Sequence, residues 1–354
     1  MPLACCAETI REQGVTISVV DLPPPPEGQT GWPWTLIEAV SASRAKSDER
    51  WPRISIVTPS LNQGRFIEET IRSVLLQNYP NLEYIVVDGG STDQTLNVMR
   101  KYDRWITHWV SEPDRGQSHA LNKGFAFATG DVLAYLNSDD LYEPGALGKI
   151  AQCYSENNGF ELFVGSCTIF DEDHKQRISN PWWPDTPAYF LQPFGSPFAQ
   201  PASFWSPAVY RNTGGFNEGL DYIMDREFFL RLALDGVHPH FVSDVVARYR
   251  DHPGTKTRQT IRIYQESISV VQQFAAACGL KSQDRRALLK KIRNDIDYLT
   301  IFIWWKKYGR WSAILKYALL LMQAPALIAD RKLLGLGRRL LTFRKADVLE
   351  LKNI

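Results

Sequence analysis

The chain has 354 residues, enough for one large domain or two ordinary ones. Apolar residues make up 44% and charged residues 22%, a globular balance that excludes extensive disorder. A formal net charge of +1 supplies no overall field toward nucleic acid, and no nucleic-acid partner is expected.

The five cysteines (Cys5, Cys6, Cys153, Cys167 and Cys278) are odd in number and lack C-x-x-C or Cys/His ligand spacing. They read as reduced thiols of a cytosolic protein, not as a disulfide framework. Residues 1–15 lack an apolar core flanked by basic residues, so no signal peptide is expected. No uninterrupted apolar run reaches about 18 residues, so no membrane-spanning helix is expected either.

Residues 1–52 carry PPPP and GWPW with little periodicity and read as a proline-rich arm, either wrapped on a neighbour or mobile. A repeating order follows. ISIVT (54–58) is a β-branched run ending before Pro59, and FIEETIRSVLLQ then places Ile67, Ile71, Val74 and Leu75 on one helical face. EYIVV (83–87) is a second strand, and STDQTLNVMRKY opens with Ser91 and Gln94 spaced as a capping box. ITHWV (106–110) is a third strand, GQSHALNKGFAFAT a helix stopped at Gly130, and DVLAYL (131–136) a fourth, buried strand. Strand and helix alternating at this pace imply an open, mostly parallel α/β sheet with helices on its faces.

Ligands of such sheets lie beyond the carboxyl ends of the strands. Four polar, small-residue segments stand there in turn: TPSLN, DGGSTD, SEPDRG and NSDD. The adjacent carboxylates of Asp139 and Asp140 repel each other and cost solvation unless a cation faces them. An isolated Asp-Asp pair is ordinarily a solvated turn. Four such segments on one edge point instead to a nucleotide held by backbone N–H groups and by a divalent cation. No G-x-x-x-x-G-K-[ST] and no G-x-G-x-x-G after the first strand is present, which excludes a P-loop and argues against a dinucleotide site.

TPSLN, VVDGGSTDQT, SEPDRGQSHALNKG, TGD and LNSDD, in this order, resemble the family 2 glycosyltransferases with the GT-A fold. GGFNEGLDYIMDREFFLRLA resembles the second half of the same domain, so the likeness covers roughly residues 53–252. It implies a GT-A domain over 53–255 with a mostly parallel central sheet, preceded by the arm and followed by a helical region over 256–354.

By this resemblance Pro59 and Ser60 line the nucleotide pocket, Asp88 takes a base N–H, and Arg115 and Gly116 lie along the nucleotide. Asp139 and Asp140 form the D-x-D-type element, with Asp140 as the direct metal ligand and Asp139 toward the ribose or the metal. Asn137 stands where many relatives carry an acid, which lowers the local charge. His252, in ARYRDHPGTKT, approaches the metal or the diphosphate, and Lys256 is a candidate for neutralising phosphate. Asp225 is the implied catalytic base, with Met224 where the family usually has a first acid and Glu227 as a fallback. A sugar hydroxyl is a weak nucleophile, and a carboxylate that takes its proton is worth roughly 100- to 10,000-fold in rate.

Taken alone, Asp225 reads first as a helix cap, and His252 equally as a structural or a functional histidine. Trp182, Trp183, Phe194, Phe204 and Trp205 are either core or sugar-stacking residues. The function so implied is metal-dependent, inverting hexosyl transfer, with Mg²⁺ or Mn²⁺, from a nucleotide-sugar donor. The acceptor is a hydroxyl of a saccharide or lipid-linked carrier in cell-surface polysaccharide synthesis. The reading from a different class is a non-catalytic nucleotide-sugar or glycan-binding module on the same fold.

From Trp304 to Lys345 the chain carries ten Lys or Arg and one acid, Asp330. Lys316 and Pro325 interrupt its apolar stretch. Either this segment lies on the cytoplasmic face of an anionic inner membrane, or it packs on the catalytic domain as a helical extension. A cytoplasmic location, peripheral on the membrane in the first case, is expected.

Overall fold

The computed structural model describes residues 19–35, 51–157, 160–323 and 330–342. Cys5, Cys6, most of the arm, and residues 324–329 (with Pro325) and 343–345 of the basic C-terminal segment lie outside these residues. The chain forms two compact units, one from 1–190 and 195–255, the other from 191–194 and 256–354.

The first unit is built on one sheet. Its strands are β1 (Ile54–Ser60), β2 (Leu82–Asp88), β3 (His108–Ser111), β4 (Val132–Tyr135), β5 (Leu141–Tyr142), β6 (Leu162–Asp171), β7 (Gln176–Ser179), β8 (Ser203–Trp205) and β9 (His240–Asp251). The spatial order is β3-β2-β1-β4-β8-β6-β9-β5, with β7 paired to β6. β3, β2, β1 and β4 are mutually parallel, as are β6 and β9. β8 runs antiparallel between β4 and β6. The expected α/β fold with a mostly parallel sheet is present.

The sequence explains the central strands directly. LEYIVVD of β2 is buried at every position, which fits a strand covered on both faces. The stripe of α1 (Ile67–Leu75), with Ile67, Ile71, Val74 and Leu75, faces the core, and all four side chains are buried. β1 runs on to Ser60, past the expected stop at Pro59. Its pairing to β4 ends at Val57 opposite Tyr135, so no β4 partner stands opposite Pro59.

One local expectation fails. The Ser91 hydroxyl does not cap α2 (Thr95–Lys101), which has no side-chain cap at Gln94. It donates to Asp88 at 2.5 Å and accepts from the Asn62 amide at 2.6 Å. Asp93 serves the helix start instead, accepting from the Thr95 and Gly64 amides at 2.9 Å each.

The described part of the arm, residues 19–35, folds onto its own domain. Arg72 on α1 is fully buried and donates to the carbonyls of Pro33 (3.1 Å), Pro23 (2.8 Å) and Trp34 (3.0 Å) and to the Tyr102 hydroxyl (3.0 Å). Leu22 and Trp34 are buried, and the Trp32 indole donates to the Tyr142 carbonyl at 3.0 Å.

The first unit also carries α3 (Gln117–Phe127), α4 (Ala146–Glu156), α5 (Pro207–Thr213) and α6 (Met224–Leu234). The second unit is helical: α7 (Thr260–Phe274), α8 (Ser282–Tyr308), α9 (Arg310–Gln323) and α10 (Arg331–Thr342). Ile301, Ala313, Leu333 and Leu336 join α8, α9 and α10 in one small apolar cluster. Among the described residues no helix is long and apolar enough to cross a membrane.

Candidate functional site

Parallel β1, β2, β3 and β4 deliver their carboxyl ends to one edge, so Ser60, Asp88, Ser111 and Asn137 come together there. Pro59 and Ser60 are buried. The Ser60 hydroxyl has no hydrogen-bond partner, a rare condition for a buried polar atom and one that a bound ligand would relieve.

Asp88 is buried and already engaged. It accepts from the Gly90 amide (3.1 Å), the Ser91 amide (2.8 Å) and the hydroxyls of Ser91 (2.5 Å) and Ser111 (2.7 Å). Four donors meet about four lone-pair positions of a carboxylate, so Asp88 holds the DGGSTD turn in shape. The expected contact with a base N–H competes with these bonds.

The loop after β3 leads into α3 (Gln117–Phe127). Gly116 stands at its start with φ +114°, and a Cβ there would come within 2.6 Å of Asp221 Oδ1. Arg115 is exposed and pairs with Glu218 at 2.5 Å. Ser118 and Asn122 of α3 donate to the carbonyls of Leu220 and Phe216 at 2.8 Å each. These bonds fix the GGFNEGL segment that enters α6 (Met224–Leu234).

Asp225 is the second residue of α6, half-buried, with its Oδ1 accepting from the Arg226 amide at 2.7 Å. Glu227, the fallback base, is buried in a two-pronged pair with Arg231 at 2.9 and 3.0 Å. Arg231 also donates to the carbonyls of Thr213 and Gly215. Glu227 is thus a brace of the helix, and Asp225 is the carboxylate that neighbours the strand ends. Burial pushes the Tyr135 phenol well above its usual range, and Asp225 and then Asp140 push it further. The end of β4 therefore sits in the field of both acids.

The NSDD turn sets its two aspartates in different surroundings, Asp140 first. Its side chain is buried, accepting from the Arg250 amide at 2.9 Å and from the Asn137 amide group at 3.3 Å. Burial, with Asp139 beside it, holds the carboxyl well above the usual carboxylate range despite these bonds and the Arg250 charge. Asp139 is the partner turned toward β9: its Oδ2 lies 3.0 Å from His252 Nε2. The Gly254 amide donates to His252 Nδ1 at 3.2 Å, which leaves the ring proton on Nε2, directed at Asp139.

Three residues unread in the sequence complete the site. Arg250 donates from Nε to the Asp139 carbonyl at 2.9 Å and from Nη2 to Glu69 at 2.5 Å, and lies over the rings of Phe66 and Phe170. Gln117 donates to Asn137 Oδ1 at 2.7 Å. Gln200 donates to the Tyr135 carbonyl at 2.9 Å. Arg250 stands two residues before His252 in the motif already singled out, and Gln117 follows Gly116; Gln200 carried no local signal.

Of the aromatics, Phe204 and Trp205 are core, and Trp183 stacks on Phe198. Trp182 is exposed. Phe194 and Lys256 belong to the second unit. Among the described residues no group of three or more His, Cys, Asp or Glu gathers as a metal cluster. A cation here would have two protein donors, Asp139 and His252. That fits an open coordination sphere completed by water and diphosphate, a hard carboxylate beside a borderline imidazole.

Residues 55–211 match Glycosyl transferase family 2. An uncharacterized glycosyltransferase of Mycobacterium tuberculosis is 30% identical over 194 residues, covering 52% of this chain and 70% of the relative. This chain belongs to glycosyltransferase family 2. A glycosyltransferase of PGL/p-HBAD biosynthesis from Mycobacterium bovis is 28% identical to this family 2 enzyme over 210 residues, 57% of this chain and 78% of the relative. In fold, the transferase is similar to S. aureus TarS residues 1–349, solved with UDP-GlcNAc. That likeness has a TM-score of 0.52 and 15% identity, and covers 84% of this chain and 92% of the other.

Proposed function

We propose that this glycosyltransferase moves a hexose with inversion from a nucleoside-diphosphate donor to a hydroxyl of a saccharide or lipid-linked acceptor in cell-surface polysaccharide synthesis. The observation that carries the reading is the Asp139 Oδ2 to His252 Nε2 approach of 3.0 Å at the edge where β1 and β2 end in Ser60 and Asp88. Asp139 and His252 are the side chains that would hold a divalent cation. To present Nε2 as a donor atom the His252 ring would carry its N–H on Nδ1 and give up the Gly254 contact. When bound, the cation offsets the negative charge that builds on the departing diphosphate.

The chain's own groups supply the rest. The Ser60 hydroxyl gives the donor a hydrogen bond it now lacks, and Asp88 keeps the Gly90 and Ser91 amides in place along the nucleotide. Arg115 and Gly116 flank the same path at the start of α3. Asp140 braces the turn from within. Asp225 accepts the proton of the acceptor hydroxyl as that oxygen attacks the sugar carbon from the side opposite the leaving group.

The test is thermal unfolding of the purified chain with UDP, GDP, dTDP or CMP, each with and without Mn²⁺. Saturation at a hundred times the dissociation constant stabilises by roughly 2.7 kcal/mol, a clear melting shift. One nucleotide is expected to shift the transition only with metal, and the shift is expected to vanish in Asp139→Ala. No shift with any nucleotide overturns the donor site and favours the glycan-binding module.

A further inference from the structure

The second unit exposes apolar surface where a small helical array ordinarily hides it. On α9, Trp311 (78% exposed), Leu315 (63%), Leu319 (45%) and Met322 (78%) all face solvent. At the helical repeat these four lie within an arc of about 80° along roughly 16 Å of helix, one continuous stripe. The opposite side of α9 is the one that packs inward, through Ala313, Tyr317 and Leu320, against Ile301, Leu333 and Leu336. The helix is therefore apolar on both sides, and only one side is buried within its own unit. The last turns of α8 add exposed Ile303, Trp304 and Tyr308.

The charges carried by this stretch of chain have one sign. Residues 303–322 contain Lys306, Lys307, Arg310 and Lys316 and no Asp or Glu. Lys306 and Lys307 are exposed at the end of α8, and the Lys316 ammonium lies 5.5 Å from the Trp304 ring centroid. Half-buried Asp297 of α8 has its carboxyl pKa raised by burial, an effect that Lys316 opposes. Tryptophan and tyrosine at the border of an apolar stripe, with lysine stems beside them, match the layer between lipid headgroups and acyl chains.

We propose that the Trp311–Leu315–Leu319–Met322 face of α9, with the final turns of α8, beds into the surface of an anionic lipid bilayer. The apolar stripe lies below the headgroups, and Lys306, Lys307 and Lys316 reach up to the phosphates. This surface is independent of the donor site and of the reaction assigned to it.

Co-sedimentation of the full chain with vesicles tests the assignment, using phosphatidylcholine alone and phosphatidylcholine mixed with phosphatidylglycerol. Binding is expected to the mixed vesicles and to weaken with added salt. Trp311→Ser/Leu315→Ser/Met322→Ser is expected to weaken binding at least roughly tenfold without lowering the melting temperature, since these side chains are exposed. Lys306→Gln/Lys307→Gln/Lys316→Gln is expected to weaken it roughly a hundredfold, three charges at about 1 kcal/mol each. A chain that stays in the supernatant with both vesicle types overturns the proposal. So does unchanged sedimentation of the serine variant. A concentration-dependent dimer that the serine variant abolishes, without vesicle binding, assigns the face to a second copy of this chain and also overturns it.

Discussion

Asp139 and His252 lie 113 positions apart in the chain, yet Oδ2 of one meets Nε2 of the other at 3.0 Å. Two strand ends make the approach: β4 delivers the NSDD turn and β9 delivers ARYRDH to the same edge. Arg250 fixes the distance between them, because its amide holds Asp140 and its guanidinium holds the Asp139 carbonyl.

His252→Gln is expected to lower Mn²⁺ affinity by roughly 10- to 100-fold in the presence of the nucleoside diphosphate. Asp139→Ala is expected to lower it further, since it removes the carboxylate donor. Calorimetric titration of metal into the protein–nucleotide mixture reads both, and unchanged affinity in Asp139→Ala would remove this pair from the metal site.

Asp225→Asn is expected to reduce kcat by roughly 100- to 10,000-fold while leaving donor affinity unaltered, the pattern of a lost base. Glu227→Gln behaves differently. It breaks a buried pair with Arg231 and is expected to cost about 3 kcal/mol of stability. Steady-state kinetics beside urea unfolding separates the two roles; a larger kcat loss in a stably folded Glu227→Gln would exchange their assignments.

Arg250→Lys keeps the charge and loses the planar fork that reaches both the Asp139 carbonyl and Glu69. A stability loss of about 2 kcal/mol is expected, together with weaker metal binding. If metal affinity is intact after this substitution, Arg250 is a structural brace alone.

Arg72→Met leaves the carbonyls of Pro23, Pro33 and Trp34 without their donor. At about 1–3 kcal/mol for each buried group left unsatisfied, roughly 3 kcal/mol or more of stability is expected to go. The loss should concentrate in residues 19–35, read as faster amide exchange and earlier proteolytic cleavage there. Uniform protection across the arm would show that Leu22 and Trp34 suffice to hold it.

The repeating order of strands and helices was legible because burial on a sheet imposes continuous apolar runs and burial on a helix imposes a one-sided stripe. EYIVV and the Ile67–Ile71–Val74–Leu75 stripe both lie where that periodicity put them. The capping box at Ser91 was misread because its spacing is local, whereas the partner that takes the hydroxyl, Asp88, ends the preceding strand and is itself completed by Ser111 from β3. The arm was legible only as proline-rich chain. Its anchor is Arg72, which looks from its sequence position like any polar residue of an amphipathic helix and is instead wholly buried.

The sequence by itself determined the family and the edge of the sheet at which its polar motif segments gather. Motif order, strand period and the polar segments between strands are all local properties of the chain. Only the tertiary structure decided how the surroundings of the two adjacent aspartates differ, since neighbours in sequence have the same composition and spacing around them. Asp140 is drawn inward by the Arg250 amide on β9 and by burial, and Asp139 is left facing His252. That difference is set by a strand more than a hundred residues away, and no reading of LNSDD alone contains it.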